Sequence, residues 1–426
     1  MTRTLRATDP FPAATVARLR RRAVFEAGKW DPQVHDGPSL APFALRIGAE
    51  EWGSLCAAAE RLWSDLARIE EALAVKPHLL RSLGLPQRAR AAVASAPRSG
   101  PALRFARFDF HPTAVGWRVS EVNADVPGGF VESGPVASLV AAELGETAPP
   151  DAATAIADAL AHAVPAGGRV ALVHATAYAD DLQVMDLFRR LLHIRGISGL
   201  PCSPEHLHWD AGGRCTLSLD SDRIDAVIRF FPAEWLANLP RSRSIRPFFG
   251  STPQGPLLAN PARALAVQSK RLGLVIDSLH APCSEWKALM PRVRAVAPAI
   301  YSRRPIPDGW VLKPAMGRVG EGIVVPGVTA ERDARRAIWH ARLSPGHWLL
   351  QERFDSLPVD VDGEPCHVCI GVYTVDGRAA GAYARVARKP LIDAHAQDAV
   401  LLIDAPTPLA YPHRERNAPS AAAAVL

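Results

Sequence analysis

The fold depends on the stretch FARFDFHPTAVGWRVSEVNADVPGG at residues 105–129, in which a turn joins two short apolar segments. This pattern predicts a β-hairpin. Successive side chains of a strand point to opposite faces, so Arg107 and Asp109 share one face of the first strand. Glu121 and Asn123 share one face of the returning strand for the same reason. The hairpin is therefore expected to bring a cation, two carboxylates and an amide to one surface.

This set of side chains has two interpretations. Two carboxylates and an amide oxygen form a hard, all-oxygen donor set, which suits Mg²⁺ or Mn²⁺ better than zinc. Arg107 fits such a site if the metal carries phosphate, because a guanidinium binds phosphate oxygens. The same residues could instead form a solvated hairpin face with cross-strand ion pairs. The hairpin alone leaves both interpretations open.

A second motif, LKPAMGRVGEG at residues 312–322, places Lys313 at the end of a predicted strand. Three glycines follow it, and glycines let backbone N–H groups approach phosphate oxygens while the lysine supplies a compact charge. The motif is neither a P-loop nor a Rossmann fingerprint, because its lysine precedes the glycines and a strand is predicted to follow. A purely structural glycine turn is the alternative.

Further along the chain, WLLQERF at residues 348–354 places Gln351 and Glu352 at a predicted strand end. These side chains suit hydrogen bonds to an adenine and a ribose. Metal-binding carboxylates, a phosphate-covering loop and a polar strand end together describe an ATP site. Lysine is rare in this arginine-rich chain, so a lysine within a motif is informative. The lysines are Lys29, Lys76, Lys270, Lys287, Lys313 and Lys389.

The order of the patterns predicts a mixed α/β protein of three regions. Residues 1–100 show helical spacing of apolar side chains and are predicted to be a helical segment. Residues 101–250 hold the hairpin and then alternate strands with helices, which predicts a parallel sheet. Residues 251–426 hold the glycine motif and further strands. Within them NPARALAVQSKRLGLVI, residues 260–276, is predicted to form one helix.

Composition narrows the class of protein. The chain has 426 residues, 48% of them hydrophobic, and a net charge of +6. Its basic residues are spread along the chain without a nucleic-acid-binding motif, so no nucleic-acid partner is expected. We also expect no secretory signal and no membrane span, and hence a cytoplasmic location. Cys366 and Cys369 fall within a predicted strand and are interpreted as small core residues.

The motifs taken together resemble the glutathionylspermidine synthase-like family, a circularly permuted branch of the ATP-grasp carboxylate–amine ligases. The resemblance rests on RFDF, EVNADVPGGFVESG, NPARALAVQSK, KPAMGRVGEG, LLQERFDSLP and GAYARVARKPLI, and it extends from about residue 104 to 395. It implies an ATP-grasp-like fold with a preceding parallel α/β lobe. No matching motif occurs in the middle region, so the resemblance does not identify the substrates.

The resemblance also implies a role for each matching residue. Asp109, Glu121 and Asn123 would hold two Mg²⁺ ions, with Mn²⁺ as an alternative, and Arg107 would face the transferred phosphoryl group. Lys270 and Lys313 would contact ATP phosphates, and Gln351 and Glu352 would lie near the nucleoside. The loop containing Met316, Gly317, Arg318, Gly320 and Gly322 would close over the phosphates. Arg385 would help to stabilise the reacting centre.

The implied activity is carboxylate activation. A small-molecule or peptide carboxylate attacks the γ-phosphate of ATP, and an amine then displaces phosphate from the acylphosphate to form an amide. Such chemistry needs no protein nucleophile, and the sequence has no convincing Ser-His-Asp or Cys-His motif. No amidase activity is expected. Two alternatives remain: a nucleotide-binding regulator without catalysis, and a metal-dependent phosphohydrolase that uses the hairpin carboxylates.

Overall fold

The computed structural model of the protein describes residues 3–34, 37–218, 222–240, 242, 244–296, 299–302 and 304–404. Residues 405–426 of the third predicted region lie outside this range. The strands are β1 (Arg6–Ala7), β2 (Gln33–Val34), β3 (Gly37–Pro38), β4 (Leu40–Ile47), β5 (Ala102–Leu103), β6 (Phe105–Thr113), β7 (Gly116–Asn123), β8 (Arg169–Val173), β9 (Ser198–Cys202), β10 (Leu207–Trp209), β11 (Cys215–Leu217), β12 (Ala226–Arg229), β13 (Leu257–Ala259), β14 (Val293–Ala295), β15 (Trp310–Pro314), β16 (Trp348–Glu352), β17 (Val359–Val361), β18 (Glu364–Val375), β19 (Arg378–Ala387) and β20 (Gln397–Ile403).

The helices connect these strands. They are α1 (Ala13–Phe25), α2 (Ala49–Val75), α3 (Gln87–Ala94), α4 (Ala137–Glu143), α5 (Ala152–Ala163), α6 (Ala179–Ile194), α7 (Ala233–Leu236), α8 (Arg246–Phe249), α9 (Leu265–Gln268), α10 (Ile276–Leu279), α11 (Ser284–Leu289) and α12 (Glu331–Leu343). Short 3₁₀ turns cover Pro77–Leu83, Pro204–His206, Ala262–Ala264, Lys270–Leu274, Ala299–Tyr301 and Pro345–His347, and a π-helical turn covers Glu132–Val136.

The predicted hairpin is present and lies at one edge of an eight-stranded sheet with the order β1-β4-β20-β19-β18-β6-β7, to which β17 adds beside β18. Arg107 pairs with Asn123 and Asp109 with Glu121 across β6 and β7. The register then shifts by one residue, which is a β-bulge. Phe108 is fully buried on the opposite face of the sheet. The alternation of the strand thus separates the core face from the charged face.

The predicted parallel lobe is also present. Its sheet has the order β5-β13-β12-β8-β9, and every neighbouring pair is parallel. A third, antiparallel sheet has the order β14-β16-β15 and packs against α12 through Leu312, Leu350, Ala337 and Ala341. These sheets confirm the predicted mixed α/β class. The third sheet matters for the site because β15 carries Lys313 and β16 carries Gln351.

Two predicted elements differ from the structure. Residues 1–100 are not wholly helical, because β4 lies within the large sheet and pairs in parallel with β20. Most side chains of β4 are buried on both faces, and such a continuous apolar run has no strand periodicity to distinguish it from a helix. The helix predicted over residues 260–276 is instead a series of short turns, broken at Ser269, whose backbone is extended and whose side chain accepts a hydrogen bond from the Arg271 N–H.

Cys366 and Cys369 are buried and free, as the strand interpretation predicts. Their spacing in β18 points them to opposite faces of the sheet, so they do not form one two-cysteine site. Among the residues that the structure describes, no helix has the length and the hydropathy needed to cross a membrane.

Candidate active site

A cavity of about 700 Å³ lies between the charged face of the large sheet, the three-stranded sheet and the helices α6 and α7. All of the site residues predicted from the sequence line it except Gly322. Segments that are hundreds of residues apart in the chain therefore meet at one place. The cationic residues among them are Arg107, Lys270, Lys313, Arg318 and Arg385, and the hairpin supplies Asp109, Glu121 and Asn123.

The hairpin side chains form a compact, buried group. Arg107 donates from Nε to Asp109 Oδ1 (2.7 Å) and from Nη2 to Asp109 Oδ2 (2.9 Å), and its Nη1 donates to the Gly128 carbonyl (2.7 Å). Asn123 Nδ2 also donates to Asp109 Oδ2 (3.1 Å). Burial raises the pKa of Asp109; Arg107 opposes this rise and Glu121 adds to it. Hydrogen bonds thus connect these side chains tightly, and a cation that entered the group would lower the pKa of Asp109.

Lys270 connects the hairpin to the glycine motif. Its Nζ lies 2.9 Å from Glu121 Oε2 and donates to the Gly317 carbonyl at 2.7 Å. Burial alone would raise the pKa of Glu121, but Lys270 and then Lys313 lower it to about 2. Glu121 is therefore an anion over the whole physiological pH range.

Lys313 lies at the end of β15 and is only 7% exposed. Burial lowers its pKa to about 8; the Glu121 carboxylate opposes this change and the positive charge of Lys270 adds to it. A lysine kept in a poorly hydrated wall beside another lysine attracts an anion strongly. Nearby, burial and then Lys313 lower the pKa of His111 to about 4, so this histidine is neutral at pH 7.

The loop after β15 is held against the α/β lobe. Arg318 Nε donates to Glu234 Oε1 of α7 (3.1 Å), and its guanidinium lies 5.3 Å from the Trp235 ring centroid. Val319 has φ 48° and Gly320 has φ 73°. A Cβ on Gly320 would lie 2.7 Å from backbone atoms of Ile392 and Asp393, so glycine is required there for close approach as well as for conformation.

The two residues predicted to contact the nucleoside differ in environment. Gln351 is buried, and its Nε2 lies 3.4 Å from the Ser120 carbonyl, next to the hairpin bulge. Glu352 is more exposed and forms an ion pair with Arg292 at 2.7 Å. Both line the same cavity as the hairpin and the glycine motif.

Arg385 of β19 is held by backbone carbonyls. Its Nη2 donates to the carbonyls of Asp393 and Ala396, both at 2.9 Å. Its Nε is buried and has no recorded partner in the described part of the protein. An arginine that keeps a buried donor in a cavity wall is suited to contact an anionic ligand.

A group of side chains around Lys29 was not predicted from the sequence. This buried lysine contacts three carboxylates: Glu132, Asp31 (3.0 Å) and Asp398 (3.2 Å). Tyr383 donates its hydroxyl to Asp398 Oδ1 (2.6 Å). Burial alone would lower the pKa of Lys29, but these carboxylates raise it above its ordinary value. The rarity of lysine was the one sequence signal that could have identified Lys29.

Two further acidic residues, Asp180 and Asp181 at the start of α6, line the same cavity. Burial raises the pKa of Asp181 to about 6, while a hydrogen bond from the Ala175 N–H and the charge of Arg318 oppose this rise. We call the group formed by Asp31, Glu132, Asp180, Asp181 and Asp398 the acidic wall. It gives the cavity a negative surface as well as a positive one.

Asp125, which follows the hairpin strands in the sequence, has a structural role. It is fully buried, forms an ion pair with Arg229 and accepts a hydrogen bond from the Ala233 N–H (2.8 Å). These contacts fix α7 against the hairpin, and α7 in turn carries Glu234, the partner of Arg318.

The hairpin donors suit a hard divalent cation in their chemistry. Asp109 and Glu121 are neighbouring carboxylates in the cavity wall, and Asn123 adds an amide oxygen. In the described part of the chain, no group of three or more His, Cys, Asp or Glu side chains is arranged to hold a metal ion. Two carboxylates and one amide would leave most coordination positions of such a cation to other oxygens, for example those of a phosphate.

The chain matches a known protein family in sequence and solved structures in fold. The family model described as glutathionylspermidine synthase preATP-grasp matches residues 42–400. No curated protein matches the sequence. Among solved structures, the apo form of a glutathione synthetase-like effector from Globodera pallida has a TM-score of 0.61 at 12% identity and covers 93% of this chain and 98% of its own, a likeness of fold.

A putative γ-glutamylcysteine synthetase from Methylobacillus flagellatus KT has a TM-score of 0.42 at 14% identity, with 81% of this chain and 87% of that chain covered. The family match includes the hairpin, the glycine motif and Arg385, which are the segments that form the cavity. The chain belongs to the glutathionylspermidine synthase preATP-grasp family.

Proposed function

We propose that the protein is an ATP-dependent carboxylate–amine ligase that forms an amide or peptide bond through an acylphosphate, with release of ADP. The observation that carries the proposal is the convergence of Lys270, Lys313 and Arg107 on the carboxylates Asp109 and Glu121 in one cavity. Phosphoryl transfer is catalysed mainly by positioning and by neutralising charge on the phosphoryl oxygens. This cavity offers the groups required for both.

In this proposal the triphosphate lies between β15 and the hairpin. Lys313 and Lys270 contact its oxygens, and the loop from Met316 to Gly322 covers them with backbone N–H groups. Gln351 and Glu352 contact the nucleoside. Asp109, Glu121 and Asn123 would hold Mg²⁺ or Mn²⁺, with two ions expected, and the metal would supply charge neutralisation at the phosphates.

The reaction has two steps. An oxygen of the substrate carboxylate attacks the γ-phosphorus, the bond to the β-phosphate oxygen breaks, and ADP leaves. Arg107 and Arg385 stabilise the charge on the transferred group. The amine nitrogen then attacks the acyl carbon, the bond from that carbon to the phosphate oxygen breaks, inorganic phosphate leaves, and the nitrogen loses a proton. Closure of the loop over the cavity would keep water from the acylphosphate.

The acidic wall supports an amine substrate that carries positive charge. Five carboxylates line this side of the cavity. Three of them, Asp31, Glu132 and Asp398, contact the cation Lys29. An ammonium group would find opposite charge there. The carboxylate partner is proposed to be a small molecule or a peptide, and a cytoplasmic location is part of the same proposal.

The test of this function is a search for products. The purified protein is incubated with ATP, Mg²⁺ and pools of carboxylates and amines, while ADP is followed by a coupled assay and new amides by mass. Hydroxylamine in place of the amine should trap the acylphosphate as a hydroxamate. ADP formation that no carboxylate stimulates, with phosphate as the other product, would favour the phosphohydrolase. Nucleotide binding without any ADP formation would favour the regulator.

Arg318→Ala is expected to raise the KM for ATP about fivefold, because loss of its contacts with Glu234 and Trp235 removes about 1 kcal/mol from loop closure. The maximal rate should change less, since Arg318 holds the loop and does not touch the reacting atoms. Arg335→Ala is the matched control, because Arg335 is an exposed arginine of α12. Unchanged ATP kinetics in Arg318→Ala would argue that the contacts of Arg318 with Glu234 and Trp235 do not matter for nucleotide binding.

Asp181→Asn is expected to raise the KM for a cationic amine about fivefold at pH 7.5, the effect of losing about 1 kcal/mol of ion pairing. The pKa of Asp181 is about 6, so its carboxylate forms as the pH rises from 5 to 7. The KM of the wild type for the amine should therefore fall over this range, and the variant should lack the change. Asp186→Asn is the control, because Asp186 also lies on α6 but pairs with Arg189 and does not line the cavity. Identical pH profiles would exclude this role.

A further inference from the structure

Arg107 makes contacts on the large sheet that the sequence motifs do not reveal. Across the sheet, Gly371 of β18 is the register partner of Asp109 on one side and of Tyr383 on the other. Arg107, Gly371 and Tyr383 thus occupy three adjacent strands on the cavity face. The Arg107 guanidinium lies 4.9 Å from the centroid of the Tyr383 ring.

Gly371 provides the space for this contact. A Cβ at position 371 would lie 2.5 Å from Arg107 Cδ and 2.7 Å from Arg107 Nε, closer than real contacts allow. Gly371 is not among the glycines with positive φ, so the backbone of the strand does not require glycine there. The missing side chain is therefore explained by the arginine that lies across it.

Tyr383 is itself held firmly. Its hydroxyl donates to Asp398, one of the carboxylates around Lys29, at 2.6 Å. On the other side, a Cβ on Gly129 would lie 2.6 Å from Tyr383 Cγ, so the ring packs directly on the backbone at that position. The ring has little freedom to move away from the guanidinium.

The hydrogen bonds that Arg107 already makes limit the number of N–H groups that it can offer to a ligand. Three of its five N–H groups donate to Asp109 and Gly128, so at most two remain. Because the guanidinium carbon lies 4.9 Å from the Tyr383 ring centroid, the ring and the three hydrogen bonds together limit the directions in which these two can point. A cation over an aromatic face in a buried place is held by the electrostatic field of the ring.

We propose that Gly371 and Tyr383 are positioning residues that fix the Arg107 guanidinium toward the transferred phosphoryl group. The proposal rests on the function proposed above for the role of Arg107. Because Tyr383 also binds Asp398, the position of the arginine is connected to the acidic wall.

The kinetic test is a double-mutant cycle with Arg107→Ala, Tyr383→Leu and the combined variant. Tyr383→Leu should lower kcat for carboxylate-dependent ADP formation about tenfold with little change in the KM for ATP. It should have almost no effect when Arg107 is already absent. Tyr383→Phe should keep most of the rate of this step, because the ring remains. Equal effects of Tyr383→Leu with and without Arg107 would overturn the proposal.

The structural test does not depend on activity. Crystal structures of Gly371→Ala and Tyr383→Leu should show the Arg107 guanidinium displaced from its place in the wild-type protein, and an unchanged guanidinium in both would also overturn the proposal. Gly53→Ala, at a helical position with open space, and Tyr301→Leu, at an exposed tyrosine, are the matched controls. A wild type without ADP formation, but with Arg107 displaced in these variants, would refute the ligase function and leave the positioning role supported.

Discussion

Lys313→Met is expected to lower kcat/KM for ATP about 100- to 1,000-fold, the loss found when one preorganised charge is removed from a site of developing charge. The side chain is buried at the end of β15 and lines the cavity together with the hairpin carboxylates. Methionine keeps a similar volume, so packing is preserved while the charge is lost. The loss should appear in carboxylate-stimulated ADP formation.

Because the pKa of Lys313 is about 8, the pH dependence gives an independent check. The lysine is charged below this pH and neutral above it, so kcat/KM for ATP should fall as the pH rises above 8. Lys313→Arg retains its charge and should shift this decline to higher pH. Lys287→Met, at an exposed lysine paired with Asp277, is the control. A Lys313→Met variant with wild-type kcat/KM would contradict the proposed phosphate contact.

The hairpin could be predicted from the sequence because its information is local. Two strands, a turn and the period-two spacing of Arg107 and Asp109 fix which side chains share a face. The parallel lobe and the glycine motif were predictable for the same reason. Strand β4 was missed because a strand buried on both faces has the same apolar pattern as a buried helix.

The acidic wall could not be predicted, because Asp31, Glu132 and Asp398 lie in three distant parts of the chain and the motif that contains Glu132 gave this residue no role. Their proximity is a property of the tertiary fold. The contact of Arg107 with Tyr383 is similar, since it depends on a strand register across β18 that local sequence does not specify. The sequence therefore indicates the side of the cavity that is proposed to bind phosphate, whereas the acidic wall becomes visible only in the structure.

Glu121→Gln is expected to lower kcat/KM for ATP about 100-fold and to raise the Mg²⁺ concentration for half-maximal activity at least about tenfold. Glutamine has the same shape and can still bond to Lys270, so the change removes one charge from the proposed metal site. Glu285→Gln, at a glutamate that pairs with Arg61, is the control. An unchanged Mg²⁺ dependence would exclude Glu121 as a metal ligand.

Measuring the free energy of unfolding distinguishes the loss of a metal ligand in Glu121→Gln from damage to the fold. The pKa of Glu121 is lowered to about 2, chiefly because Lys270 and Lys313 outweigh the effect of burial. A carboxyl group with a lowered folded-state pKa stabilises the protein above its unfolded pKa of about 4.3 and loses that contribution as the pH falls toward 2. The difference in free energy of unfolding between wild type and Glu121→Gln should therefore be largest near neutral pH and shrink in acid. Because Glu121 stays ionised between pH 6 and 8, its own titration adds no pH dependence to the loss of activity. The Glu121 carboxylate raises the pKa of Lys313, so in the variant the decline of kcat/KM for ATP should begin at a lower pH than in the wild type.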